Sequence, residues 1–167
     1  MAESIQGWFA GRVPQGWFQD PPHVEGDREE IVVVGVLPDV EVTTESKEAR
    51  AQARAARIER FREESRRERM RIAAEGERRF GKKISWGAVC GDQKRLFTML
   101  STPMMTRLRM PERQVLDTLV DAGVARSRSD ALAWCVRLVA SKQGEWLQNL
   151  RGALGEVEKV RQQGPNG

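Results

Sequence analysis

The sequence predicts a mainly helical chain with few strands. A small dimerising strand-helix-helix module follows a long arginine-rich helix and a flexible N-terminal arm that contains aromatic residues. Three observations predict it. Met104–Ala140 reads as a short strand, a proline, an amphipathic helix, a glycine turn and a capped second helix. Residues 45–83 hold no proline and carry 14 bases against 8 acids. Residues 1–28 are rich in Gly, Pro and Gln and contain the tripeptide Gly-Trp-Phe twice, at 7–9 and 16–18.

Residues 1–44 form an acidic arm, with eight acids and two bases. Pro14, Pro21 and Pro22 exclude one continuous helix. Exposed Trp and Phe are unusual in a flexible arm, because aromatic rings dominate interface energetics. Trp8, Phe9, Trp17 and Phe18 are therefore anchors, either for a protein partner or for this chain's own helices. Ile31–Val34 is a β-branched run bounded by acids and by Pro38-Asp39, which predicts a strand. An unbroken run of this kind implies burial on both faces or a sticky edge, so pairing with another copy is one outcome.

Residues 45–83 predict one long charged helix, capped at Thr44, about 50 Å in length. Its apolar stripe is thin: Ile58, Phe61, Met70 and Ile72. Acid-to-arginine pairs such as Glu68–Arg71 support it instead. The helix is either an electrostatic rail for phosphates or a solvated spacer between modules. Residues 84–103 are an apolar connector with turn glycines, too rich in Trp86, Leu96, Phe97 and Leu100 for a free linker.

Residues 104–140 are the module. Met104–Met110 alternates as a strand does, with Thr106, Leu108 and Met110 on one face and Met105, Arg107 and Arg109 on the other. Pro111 and Glu112 suit the first turn of a helix whose stripe is Val115, Leu116, Leu119 and Val120. Gly123 ends it, and Ser127 or Ser129 caps the next helix, with Asp130 in its first turn. Residues 141–163 add an amphipathic helix with Trp146, Leu147, Leu150, Leu154, Val157 and Val160 on one face.

The RLRMPE strand-to-helix segment and the GVARSRSDAL turn resemble the ribbon-helix-helix (MetJ/Arc-like) family of DNA-binding proteins, over about 37 residues. The resemblance implies a homodimer whose two strands pair into an antiparallel ribbon for the major groove of double-stranded DNA. It implies base contacts from Met105, Arg107 and Arg109. It places phosphate contacts at Ser127, Arg128 and Ser129, and dimer core at Leu108, Leu119, Leu132 and Leu138.

Composition bounds the rest. Charged residues are 31% and aromatics 6%, which favours exposed helices and flanks over one compact globule. The net charge of +4 and a pI near 9.5 fit a polyanionic partner. Cys90 and Cys135 lie far apart beside a single histidine, His23, so they read as small buried hydrophobes, with no metal or cofactor expected. No signal peptide and no membrane span are expected, so the expected location is the cytoplasm, nucleoid-associated if DNA is bound. One histidine in an acidic arm, with no phosphate loop or nucleophile motif, argues against an enzyme. The expected function is a dimeric DNA-binding protein acting in transcription regulation. The alternative is a non-enzymatic interaction protein that binds RNA, the ribosome or a protein partner and uses the module only to dimerise.

Overall fold

The computed structural model describes residues 2–42 and 46–164. The chain divides into two compact units, 1–103 and 104–167. Among the described residues there are six helices and one four-stranded mixed sheet.

The N-terminal unit begins with α1 (Ala2–Arg12), followed by β1 (His23–Gly26) and β2 (Glu30–Val36). Two helices, α2 (Lys47–Glu64) and α3 (Arg66–Phe80), lead to β3 (Lys83–Cys90) and β4 (Gln93–Leu96). The strand order is β1-β2-β3-β4. The central pair is parallel, with Ile31 beside Ile84 and Val33 beside Trp86, and both outer pairs are antiparallel. A parallel pair needs a long crossover, and α2 with α3 supplies it.

The β-branched run at Ile31–Val34 forms a strand, as predicted. It lies between β1 and β3 of its own chain, so its edges are taken internally and not by another copy. One face of the sheet carries the core: Ile31, Val33, Ile84 and Trp86 pack with Phe9 and with Ile72 and Ala73 of α3. A second cluster joins Ile58 and Phe61 of α2 to Leu37, Ala88 and Cys90. The residues expected to be an apolar connector, 84–103, thus contain the strand that completes the core.

The flexible arm is corrected. Residues 2–12 are helical, and Phe9 is fully buried. Its ring meets Trp8 edge-on at 4.8 Å and Trp86 at 6.0 Å. Trp17 packs edge-on against Phe61 at 5.4 Å, and Phe18 lies 5.3 Å from the same ring. The four anchors fill this protein's own core, because the sheet and its helices leave gaps that only large flat side chains close. Two glycines make room in this core, one for Phe18 and one for Ile84. A Cβ on Gly35 would lie 2.2 Å from the Phe18 ring, and one on Gly76 would lie 2.2 Å from Ile84 Cδ1.

The expected single helix over 45–83 is two helices meeting at Ser65. Thr44 lies outside the described residues; Ser46 caps α2, its hydroxyl accepting the Ala49 N–H at 3.3 Å. At the junction the Ser65 hydroxyl donates back to the Phe61 carbonyl, a bond that bends helices. Gly81, at φ 67°, ends α3 in the left-handed conformation. The buried stripe is Ile58, Phe61, Ser65, Arg69, Ile72, Ala73 and Gly76, whereas Met70 is exposed.

Ion pairs close the unit. Arg12 binds Glu75 through two bonds of 2.6 Å, tying α1 to α3. Arg54 on α2 binds Asp39 at 2.6 and 2.9 Å and Asp92 at 2.9 Å, tying the end of β2 to the β3–β4 turn. The Arg54 hydrogen bonds hold the Asp39 carboxyl down to about 2.

The C-terminal unit contains α4 (Met110–Asp121), α5 (Arg128–Lys142) and α6 (Gly144–Gln163). The ribbon-helix-helix-like fold expected here is overturned. All strands among the described residues fall between His23 and Leu96, and residues 104–109 form no strand. The alternation of that segment has another cause. Leu108 docks on the cluster of Leu116, Ala125 and Ala131, which leaves the arginines on either side of it in solvent. Arg109 is the N-cap residue of α4 with an extended backbone, and Pro111 sits in the first turn. The segment is an extended lead-in to a helix. No described helix is long and apolar enough to cross a membrane.

Candidate nucleic-acid interface

The lead-in segment is held at one point and open elsewhere. Arg113, one turn into α4, donates from Nη1 to the Leu108 carbonyl at 2.8 Å. With Leu108 fixed by this bond and by its apolar contacts, Arg107 and Arg109 flank it. Both are exposed, and neither side chain has a hydrogen bond or ion pair among the described residues. Met105 is fully exposed. Because Leu108 shares a cluster with Ala125 and Ala131, this segment lies beside the start of α5.

That start is closed by two bonds that resemble a capping box shifted by one residue. The Ser127 hydroxyl accepts the Asp130 N–H at 3.2 Å, and the Asp130 carboxylate accepts the Arg126 N–H at 3.0 Å. Ser127, Arg128 and Ser129 do not converge on a shared point. Ser127 is the cap and Ser129 is exposed in the first turn. Arg128 reaches back to Asp117 on α4 through bonds of 2.6 and 2.8 Å. Those bonds lower the Asp117 carboxyl and raise the guanidinium. Both partners are substantially exposed, so water and salt weaken the pair. A phosphate oxygen could replace the carboxylate as acceptor for Arg128.

Sequence reasoning passed over Arg126, whose side chain is exposed beside Arg128, and Arg113, which fixes the lead-in. Residues 104–142 carry seven bases against four acids. The surface has an apolar neighbour as well. Val136, Leu138 and Val139 on α5, and Trp146, Leu150, Leu154, Val157 and Val160 on α6, are exposed, while Leu116, Ala125 and Ala131 alone are buried among the described residues of this unit.

The N-terminal unit offers different chemistry. A hollow of about 280 Å³ lies on the uncovered sheet face, floored by Val32, Val34 and Leu96 and edged by His23, Glu25 and Lys94. A groove of about 350 Å³ runs between α3, the start of β3 and residues 98–100. The buried Arg69 and Trp86 are part of its wall. Sequence reasoning missed both, although the four-residue spacing Phe61, Ser65, Arg69, Ala73 put Arg69 on the face that α2 and α3 turn to the sheet. The Cys90 thiol is pushed up by burial, which makes it a poor nucleophile.

Comparison with known proteins separates the same two parts. The family described as Rv1265-like protein, N-terminal domain, matches residues 3–96, and the family described as Mb1296 C-terminal domain matches residues 109–161. Uncharacterized protein Mb1296 of Mycobacterium bovis is 56% identical over 165 residues, covering 99% of this chain and 72% of that protein. Uncharacterized proteins MT1303 and Rv1265 of Mycobacterium tuberculosis match with the same identity and coverage. No solved structure gives a significant match. On the span of the N-terminal match and on the identity along almost the whole chain, the protein belongs to the Rv1265-like family.

Proposed function

We propose that this protein is a non-enzymatic, homodimeric DNA-binding protein of the cytoplasm that acts in transcription regulation through its C-terminal unit. The observation that carries the reading is the pair Arg107 and Arg109: exposed, without internal partners, and held on an extended segment beside Arg126 and Arg128. Guanidinium groups on an extended arm reach phosphates or a groove without a paired ribbon, as N-terminal arms of other DNA-binding domains do. The apolar faces of α5 and α6 supply the surface for pairing with a second copy. A dimer places two such arms on one duplex, which multiplies affinity without new contacts.

The titratable groups favour a binder over an enzyme. Every described carboxylate with a resolved shift is lowered, by arginine partners, by backbone N–H groups as at Asp27, or by Gln93 ahead of Arg54 at Asp92, and a general acid needs the opposite. The lone histidine, His23, is exposed on an outer strand.

The test is titration of the full chain against a labelled duplex, with R107A/R109A alongside. The expected result is at least about a tenfold loss of affinity and a shallower salt dependence, with the oligomeric state unchanged. Equal affinity of variant and parent for duplex DNA overturns the reading, and retained RNA binding with no duplex binding favours an RNA partner.

A further inference from the structure

The groove beside α3 is lined by a buried cation without a counter-charge and by an indole whose buried N–H has no partner. Arg69 is 6% exposed and has no carboxylate partner among the described residues. Its Nε donates to the Ser65 hydroxyl at 2.9 Å and its Nη2 to the Arg62 carbonyl at 2.6 Å, while the guanidinium lies 4.6 Å above the Phe97 ring. These contacts strap the α2–α3 junction, yet a guanidinium has five N–H groups and Nη1 keeps no protein acceptor. Trp86 is 3% exposed, and its Nε1–H is buried without any hydrogen-bond partner. A buried donor without a partner is rare in folded proteins, this one is the single side-chain case among the described residues, and Trp86 lines the groove together with Arg69.

From these we infer that the groove is a binding site for a small apolar monocarboxylic acid, its carboxylate taken by Arg69 and the Trp86 Nε1–H and its hydrocarbon body lying against Met70, Ala73, Ile84 and Leu100. A strap alone accounts for two of the arginine's donors and leaves the indole unexplained. A carboxylate supplies acceptors for both groups and neutralises a buried cation that nothing else balances. The volume of about 350 Å³ falls in the range of small-molecule sites. The walls exclude more highly charged anions. Lys83, the other cation in the wall, is already paired with Glu77 at 2.9 Å, so one positive charge is available and a dianion would remain uncompensated among apolar side chains. Burial, with Arg62 and Arg66 nearby, holds the Arg69 guanidinium down to about 10, so it is still charged at neutral pH. The site lies wholly in the N-terminal unit and stands or falls independently of the DNA-binding reading.

Calorimetric titration of the full chain with sodium octanoate tests this. Expected is one site with a Kd of about 1 mM or tighter. Two controls separate the parts of the ligand: 1-octanol has the body without the charge, and inorganic phosphate has charge without the body. Both bind at least about tenfold more weakly. W86F removes the unsatisfied donor but keeps a ring. It weakens octanoate about fivefold, and any lowering of the ligand-free Tm reports the volume lost from the core. A74F fills the groove from an exposed position and removes binding without lowering Tm. R69Q can fail to fold because it cuts the strap, so R69K and A74F carry the comparison. Absence of octanoate binding, equal binding of phosphate, or full affinity in A74F overturns the site.

Discussion

Strand β2 and helix α6 have comparable numbers of large apolar side chains, and the two parts of the molecule treat them in opposite ways. Ile31, Val33, Val34 and Leu37, on and just after β2, are at most 8% exposed, whereas Trp146, Leu150, Leu154, Val157 and Val160 of α6 are 43–67% exposed. The N-terminal unit supplies a sheet face, two crossover helices and four aromatic plugs, so the apolar row on the inner face of its sheet is enclosed. The C-terminal unit supplies three helices and a lead-in, which enclose only Leu116, Ala125 and Ala131 among the described residues. So small a core stabilises little by itself. The lesson is that one part of this chain encloses its apolar side chains with its own residues, and the other leaves two apolar helix faces open.

The largest expected effect breaks the enclosed part. Phe9→Ala removes a fully buried ring from the centre of the core, at a cost of about 3–5 kcal/mol. Differential scanning calorimetry should show the N-terminal transition lost or strongly lowered. If Phe9→Ala costs no more than the exposed Trp146→Ala, the contrast between the units is false.

Next is the open part. Placing two carboxylates on the exposed stripe of α6, in L150E/L154E, should weaken self-association by about a hundredfold in sedimentation equilibrium. The N-terminal transition should stay where it is, because neither residue belongs to that core. A parent protein that sediments as a monomer at all concentrations removes the homodimer.

A smaller effect reads the closure of the N-terminal unit by charge. The Asp39 carboxyl is held below its ordinary value by Arg54, so the pair stabilises the fold fully above the ordinary carboxylate range. That contribution disappears as pH falls through the Asp39 value of about 2. The Tm of the parent should therefore drop more steeply in this acid window than that of R54A. Parallel curves would show that the clamp contributes nothing.

These contrasts explain what the sequence disclosed. β2 was legible because Ile31–Val34 is a β-branched run between acids, and α4 and α5 because Pro111, Gly123 and the Ser127 cap punctuate them. β3 was hidden because Lys83–Cys90 mixes Gly87, Ser85 and Trp86, and its strand character comes from pairing with β2. The aromatic pairs looked like a mobile arm because glycine and proline frame them, while their partners lie dozens of residues away on α2, α3 and β3. Residues 104–109 misled for the reverse reason: alternation around Leu108 describes a docked lead-in as well as a strand. Of the candidate interface, Arg107, Arg109 and Arg128 were visible as cations, but the Arg128–Asp117 pair was not, since it joins two helices across the Gly123 turn.

That pair gives the smallest and most local prediction. Asp117 places a carboxylate on the guanidinium that the proposed interface would turn to a phosphate, so the two acceptors compete. Asp117→Asn removes the negative charge and releases Arg128. Both side chains are exposed, so the Tm should hardly move. Duplex affinity should rise a few-fold, and the salt slope should steepen by about 0.9 if Arg128 takes up one phosphate. If affinity and slope both stay unchanged, Arg128 lies outside the contact. The interface then narrows to the lead-in, where Arg107 and Arg109 have no internal partner to compete with DNA.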